Sequence, residues 1–203
     1  NTDLIPCTPD CNGVWGGFAE YDDCGICDDN ESNDCITLTI DLLAGANLIS
    51  FHALPADISI GSIFESLGNN INIIITEGSG AVNLSGNWYG SLYEITSDHG
   101  YWVIMNTDAT LIIPEAMPSS YEGYNLHYEL HGGNNLISYP FAVDQAIEDA
   151  ISSEYINSIW AVAGSGIAAQ NIDGIWYGSL ENLSPSAGYW IVSYGDIQFQ
   201  FNQ

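Results

Sequence analysis

The residues with the most chemistry to offer crowd into the first 35 positions. Asp10, Asn12, Asp22, Asp23, Asp28, Asn30 and Asp34 place hard oxygen donors at short intervals. Such donors suit calcium, which takes six to eight oxygen ligands in a flexible geometry. The spacing does not fit an EF-hand loop, and the competing reading is a solvated acidic face around a disulfide knot. All five cysteines share this segment. The pairs Cys7 with Cys11 and Cys24 with Cys27 approach the spacing of a zinc ribbon, which holds a tetrahedral ion between two close thiolate pairs. Outside a cell the same thiols oxidise. Cys11, Cys24, Cys27 and Cys35 are therefore expected to form disulfides, which leaves Cys7, nearest the chain start, for an intermolecular bond or a free thiol.

Beyond the arm, Trp88, Tyr89, Trp176 and Tyr177 could form a ligand platform by stacking on sugar rings, or serve as core aromatics within an apolar pattern. Trp102 and Trp190, flanked by Val103 and Ile191, read as structural. His127, Glu129 and His131 fall on one face of a strand and could hold a transition metal. The equivalent positions of the first repeat are Thr39, Asp41 and Leu43, so the set is private to one copy. His99 beside Asp98 is a weaker pair. Gly78-Ser79-Gly80 and Gly164-Ser165-Gly166 lack the strand, elbow and helix context of a serine hydrolase and read as turns. Asn30, Asn83 and Asn182 open glycosylation-type triplets, a weak signal by itself. No nucleophile, base and orienting group stand together, so a non-enzymatic role is expected.

These groups sit in a chain of 203 residues with 26 Asp and Glu, four His and no Lys or Arg. Without guanidinium or ammonium groups the chain cannot clamp a phosphate, and its field repels nucleic acid. Kinase, nucleotide-binding and DNA-binding functions are excluded on that ground. A folded carboxylate cluster needs a counterion, and a dissolved divalent cation is the available source. Millimolar calcium is an extracellular condition, and the composition also denies trypsin-like proteases a cleavage site. Adaptation to high salt or acid is the alternative origin of such a charge. No run of about twenty apolar residues is present, so no membrane span is expected. The start at Asn1, with neither methionine nor apolar leader, is what a mature secreted product or a cut fragment would show.

Composition changes sharply at Cys35. Nine acids lie at or before it, and the remaining 168 residues carry the other 17. So short an arm cannot fold on its own core and must be held by cross-links or bound ions. The body carries an internal duplication. Asn47-Leu48-Ile49-Ser50-Phe51 recurs as Asn135-Leu136-Ile137-Ser138-Tyr139, Trp88-Tyr89-Gly90-Ser91-Leu92 as Trp176-Tyr177-Gly178-Ser179-Leu180, and Gly100-Tyr101-Trp102-Val103 as Gly188-Tyr189-Trp190-Ile191, each 88 residues on. The Gly-Ser-Gly pair is offset by 86, which predicts a two-residue length change before that turn.

Apolar runs at 38–43, 48–53, 71–76, 81–84, 101–105 and 110–113 predict strands. Ile60, Ile63, Phe64 and Leu67 predict a short helix capped by Asp57 or Ser59, repeated by Ala146, Ile147, Ala150 and Ile151. Ile197, Phe199 and Phe201 alternate with Gln as a half-buried strand. The expected fold is mainly β. Two tandem homologous small β-barrel or sandwich domains, each with one short helix, follow an irregular arm stabilised by disulfides and calcium. The boundaries are 1–35 for the arm, 36–117 for the first module and 124–203 for the second.

The arm, from Asp10-Cys11-Asn12-Gly13 through Asp22-Asp23-Cys24-Gly25-Ile26-Cys27-Asp28-Asp29-Asn30 to Cys35, resembles the Cys/Asp-rich repeats of secreted marine and Bacteroidetes-like bacterial proteins. Those in turn look like thrombospondin type 3 calcium repeats. Asp29 stands where the usual form has Gly. Each body copy resembles the modules, running from an NLIS to a GYWV motif, found in tandem in large bacterial surface and exported proteins. The resemblance implies a secreted, extracellular or cell-surface location and a calcium-binding arm. The expected function is a subunit of a surface fibre, sheath or adhesive appendage, self-associating into a homopolymer by strand addition from the arm or the 197–201 strand. The alternative is an adhesion or carbohydrate-binding module that takes polysaccharide.

Overall fold

The structure, a computed structural model, describes residues 8–22 and 24–203. Cys7 and Asp23 lie outside the described residues. In the arm, β1 (Glu20–Tyr21) and β2 (Cys27–Asp28) form a minimal antiparallel pair, followed by a 3-10 turn at Glu31–Asn33. The first module comprises β3 (Ile36–Leu42), β4 (Gly45–Ser50), β5 (Ala53–Leu54), α1 (Ile60–Ile63), β6 (Ile71–Thr76), β7 (Ser79–Leu84), β8 (Asn87–Gly90), β9 (Gly100–Met105) and β10 (Ala109–Pro118). The second comprises β11 (Tyr128–Leu130), β12 (Gly133–Ile137), β13 (Gln145–Ala146), α2 (Ile147–Ala150), β14 (Ile159–Ala163), β15 (Ala168–Ile172), β16 (Ile175–Gly178), β17 (Asn182–Leu183), β18 (Tyr189–Ser193) and β19 (Ile197–Phe199). No helix among the described residues is long and apolar enough to cross a membrane.

The class is mainly β and sandwich-like, as the alternating runs predict. A five-stranded antiparallel sheet in the order β4-β9-β6-β7-β8 covers the smaller sheet β3-β10-β5. The second module repeats the large sheet as β12-β18-β14-β15-β16 and the small one as β11-β19. None of these sheets closes into a barrel. Period-two alternation sends Leu38, Ile40 and Leu42 inward from β3, where they meet Leu111 and Ile113 of β10 and Ile74, Tyr101 and Val103 of the large sheet. Ser59 caps α1 by accepting from Ser62 N at 3.4 Å, so Ile60 and Ile63 drop into the same core. In the second core Phe199 and Phe201 pack edge-on 4.8 Å apart. The 197–201 segment is therefore already committed within its own chain, through β19 on β11 and two buried rings, rather than free to be donated to a neighbour.

Several positions of the repeated motifs hold the fold together. Asn47 opens its motif by accepting from Leu43 N at 2.9 Å and donating to Leu43 O at 2.7 Å, which closes the bend at Gly45, where φ is 93°. Asn135 does the same with His131 at 2.8 and 2.9 Å. The Tyr101 hydroxyl accepts from Thr96 N at 2.8 Å, as Tyr189 does from Ser184 N at 2.8 Å. One expectation fails. Ile75 pairs with Gly80 and Ala163 with Ala168, so both hairpins enclose four residues and the 88-residue offset holds across them. Gly78 and Gly166 share φ 76° at the true equivalent position. The Gly-Ser-Gly match at 86 is a coincidence of turn-forming residues; the length change that does occur is a single residue and lies earlier, since Ile60 N donates to Tyr93 O and Ile147 N to Glu181 O, and it is recovered by β6 and β14.

The modules meet along a seam that repeats itself at the same offset. Ser50 N donates to Ser186 O at 2.9 Å, and its counterpart Ser138 N donates to Asp98 O at 3.2 Å. Ile49 bridges Ala187 while Ile137 bridges His99. The hydroxyls depart from the repeat: Ser50 Oγ donates to Ala187 O at 2.7 Å, whereas Ser138 Oγ donates at 2.5 Å to Ser97 O rather than to the equivalent His99. The outer edges of β4 and β12 are thus each covered by the loop preceding the partner's GYW strand. Covering an edge strand in this way removes an open row of backbone donors and acceptors.

Candidate cation site in the acidic arm

Two turns of one design build the arm. In Asp10-Cys11-Asn12-Gly13-Val14, Asp10 Oδ1 accepts from Asn12 N at 3.0 Å and Val14 N at 2.8 Å, with Gly13 at φ 80°. In the turn from Asp22 to Ile26, Asp22 Oδ1 accepts from Ile26 N at 2.7 Å, with Gly25 at φ 78°. An aspartate that holds its own turn in this way spends one oxygen and keeps the other. Asp10 Oδ2 lies over Gly17, a position with no room for a Cβ. Asp22 Oδ2 is buried with no hydrogen-bond partner among the described residues. Burying an unsatisfied polar atom costs about 1–3 kcal/mol, and more for a charged one.

Disulfides Cys11–Cys27 and Cys24–Cys35 tie the turns together. The four bonded cysteines are those expected from the sequence. Loops of 16 and 11 residues are closed, which restricts the unfolded arm by about 3 kcal/mol each on the loop-entropy model. The arm docks on the body through Ser32 Oγ, which accepts from Glu122 N at 3.0 Å.

Between the turns opens a cleft of about 480 Å³ whose wall is almost wholly acidic: Glu20, Asp22, Asp28, Asp29, Asn30, Glu31 and Asp34, with Phe18 and Tyr21. Asp28 is held below the usual carboxylate range first by the Asn33 side chain, whose Nδ2 donates to Oδ2 at 3.0 Å, and then by Asn30 N at 2.9 Å. The cleft therefore brings together Asp22, Asp28, Asn30 and Asp34 of the residues singled out in the sequence. Asp10 lines a neighbouring depression with Glu20, and Asn12 turns its amide nitrogen toward Cys27 O at 3.4 Å. Glu20, Asp29 and Glu31 are additional. Glu20 escaped notice because only the β1–β2 register, which sets it opposite Asp28, makes it a neighbour. The donor chemistry is all oxygen and fits a hard cation. Among the described residues no three His, Cys, Asp or Glu side chains are arranged to hold a metal ion, so the acids line the wall rather than meet at a point.

The other candidates are dispersed. Trp88 packs into the first core against Phe64 at 6.1 Å, and Trp176 packs into the second. Tyr89 and Tyr177 point the other way and are 59% and 54% exposed. Period two thus splits each Trp-Tyr pair between core and solvent. Trp102 and Trp190 stand half-buried on the outer face of their sheets, beside the fully buried Tyr101 and Tyr189.

His127, Glu129 and His131 are all exposed but take separate paths. Glu129 accepts from Gln198 at 2.8 Å, and His131 Nε2 reaches Glu77 of the other module at 2.8 Å. His131, Glu77, Asp98, His99 and Glu129 share a cleft of about 180 Å³ in the seam. The repeat-related cleft on the opposite side has Leu43, Ser165, Ser186, Ala187 and Asp41 at those places. His99 is pulled up from its ordinary pKa by its hydrogen bond to Asp98 at 2.7 Å, against partial burial. His52, buried where Ser186 meets the first module, is pushed down by desolvation. Compared with known proteins, the chain matches no family model, no curated protein and no solved structure.

Proposed function

We propose that this chain is an extracellular, calcium-stabilised structural protein, a subunit of a bacterial surface fibre, sheath or adhesive appendage. The observation that carries the reading is the acidic cleft of the arm, in a chain that has no Lys or Arg to neutralise it. Asp22, Asp28, Asn30 and Asp34, with Glu20, Asp29 and Glu31, would hold the ion. A divalent cation there offsets crowded carboxylate charge and supplies the missing partner of Asp22 Oδ2. Support for an exported setting comes from the two disulfides, which persist in oxidising compartments. In the body, the repeated motifs are occupied with hairpins, caps and the seam.

The test is calorimetric titration of calcium chloride into chelator-treated protein, beside electron microscopy of the native material with and without chelator. Saturable calcium binding that is lost in Asp22→Asn, and assemblies that loosen on chelation, are the expected results. Heat no larger than that of magnesium or sodium would remove calcium from the reading, and isolated particles under every condition would remove the fibre. A carbohydrate-binding role is a second reading, favoured by the outward Tyr89 and Tyr177. Retention on a glycan array that Tyr89→Ala and Tyr177→Ala abolish would establish it instead.

A further inference from the structure

Three of the four histidines line the seam, and they fall on its two sides. His99 and His131 share the cleft of about 180 Å³, where Glu77, Asp98, Tyr128 and Glu129 are the other titratable groups. His52 lines the repeat-related cleft, of about 480 Å³, in which Asp41 is the other titratable group. Leu43, Ser165, Ser186 and Ala187 of that cleft stand 88 residues from His131, Glu77, Asp98 and His99. The seam is thus nearly two-fold in its backbone contacts but not in its charge. Ser50 Oγ accepts from Tyr139 N at 3.3 Å in buried surroundings. Contacts between near-equivalent positions of a repeated pair lie close to its two-fold axis, so this one sits between the two sides.

The rings on the two sides call for different numbers of protons. His131 presents both nitrogens to acceptors, with Nδ1 3.0 Å from Gly132 O and Nε2 2.8 Å from Glu77 Oε1. A neutral imidazole carries one N–H, so only the imidazolium satisfies both. Glu77 arrives from the β6–β7 turn of the first module and with its second oxygen accepts from Leu136 N of β12 at 3.1 Å. It therefore holds the second module both by its strand edge and through His131. Asp196 adds negative charge beside that ring and accepts from Gly132 N at 3.0 Å. His52 is the reverse case. It is 6% exposed, and its Nδ1 stands 3.3 Å from Ser186 Oγ of the second module, a hydroxyl that can donate to a neutral ring. Its carbonyl also holds the inter-module linker, accepting from Ser119 N at 2.8 Å. Asp41, the acid of that cleft, is already engaged by the Thr110 hydroxyl at 2.6 Å. A second proton on His52 would place a poorly compensated charge inside the contact.

We propose that the seam is a proton-operated rocker: acid draws the modules together on the His131 side and loosens them on the His52 side, about a pivot near Ser50 and Tyr139. The hydrogen bonds to Gly132 O and then Glu77 raise His131 above its ordinary value, so its latch is complete below about pH 6.5 and fades as pH climbs through the folded value. Desolvation lowers His52, so its contact is intact above about pH 6.5 and weakens as pH falls toward the folded value. Because the two rings lie on opposite sides of the axis, their responses add along one rotation instead of cancelling. A seam symmetric in charge would only tighten or loosen. The inference stands apart from the calcium and fibre readings, since none of these groups belongs to the arm.

Amide exchange of the full chain, followed by NMR from about pH 5 to about pH 8.5 and corrected for the intrinsic rate, reads both sides at once. As pH falls, protection of Leu136 should rise roughly threefold and that of Ser50, which donates to Ser186 O, should drop roughly tenfold. The β7–β8 ladder, at the edge of its sheet farthest from β4, should hold steady and serves as the reference. His131→Gln should flatten the Leu136 response and leave that of Ser50, and His52→Gln should do the opposite. Because His52 is buried, imidazole titration of the wild-type protein supplies the same information without a substitution: its ring should titrate below about 6.5 and that of His131 above it. Parallel loss at Leu136, Ser50 and the β7–β8 ladder would mean general acid unfolding and overturn the proposal. A Leu136 response that survives His131→Gln, or a His52 ring titrating at or above about 6.5, would overturn it as well.

Discussion

Replacing Gly188 by Ala tests the seam at its tightest point. A Cβ there would lie 2.7 Å from Ile49 O and 3.0 Å from Leu48 Cδ1, and its repeat partner Gly100 would meet Ile137 O at 2.8 Å. An ordinary carbon–oxygen contact is about 3.3 Å or more, so the facing strand must retreat by about half an ångström. Overpacking of this kind costs about 1–3 kcal/mol. The retreat also stretches Gly188 N to Leu48 O, at 3.3 Å, and Ser50 N to Ser186 O, at 2.9 Å, each worth about 0.5–1.5 kcal/mol net. A loss of about 2–3 kcal/mol follows for Gly188→Ala and a similar one for Gly100→Ala. The double variant should cost less than the sum, because a seam already opened on one side has less to lose on the other. Urea unfolding followed by tryptophan fluorescence reads this well, since Trp190 and Trp102 each lie two residues beyond the altered glycine. With a slope of about 2–3 kcal/mol per molar, the midpoint should fall by about 1 M and the single transition should divide into two. An unchanged midpoint with one cooperative transition would falsify the view that the modules stabilise each other through this contact.

Two further outcomes follow from the arm and the seam. Cys24→Ser with Cys35→Ser should make the arm sensitive to protease and fast in amide exchange, while β6 and β9 keep their protection; parallel loss in both would mean the arm is integral to the core. His131 is raised above its ordinary pKa first by its hydrogen bond to Gly132 O and then by Glu77. A raised folded value means its contribution is fully present below the unfolded pKa, about 6.5, and fades as pH climbs through the folded one. His52, lowered by burial, acts in the opposite sense, its contribution being lost as pH falls. Stability of His131→Gln relative to wild type should therefore be poorest below pH 6.5 and converge on wild type above neutrality, and an NMR titration of the imidazole that finds a pKa at or below 6.5 would contradict the assigned contacts.

Much of the body could be read from one sequence because duplication checks itself. Leu38, Ile40 and Leu42 announce a face by period two, Ser59 announces a cap, and the matched motifs mark equivalent strands in the two modules. What stayed hidden depends on chain segments meeting across long separations. Ser50 and Ser138 close motifs that look like core strands, and nothing local says that their hydroxyls reach the other module. His131 finds its acid in Glu77, 54 positions earlier, and Glu20 joins the cleft only through its register with Asp28. The Gly-Ser-Gly coincidence misled because turn residues are chosen for φ and are common, whereas only the ladder of Ile75 with Gly80 and Ala163 with Ala168 sets the true offset. In the arm, the four bonded cysteines were legible by counting, but their partners were not.

The seam also constrains how such a protein can grow. Each module presents a Ser-ended strand edge and a loop before its GYW strand, and each offers both to the same neighbour. Nothing of that surface is left over once two modules have met. A third module appended to the chain would find no docking edge of this type and would remain a separate bead until a fourth arrived. Lengthening by duplication therefore proceeds in steps of two, and the natural unit to count along any larger assembly is the pair.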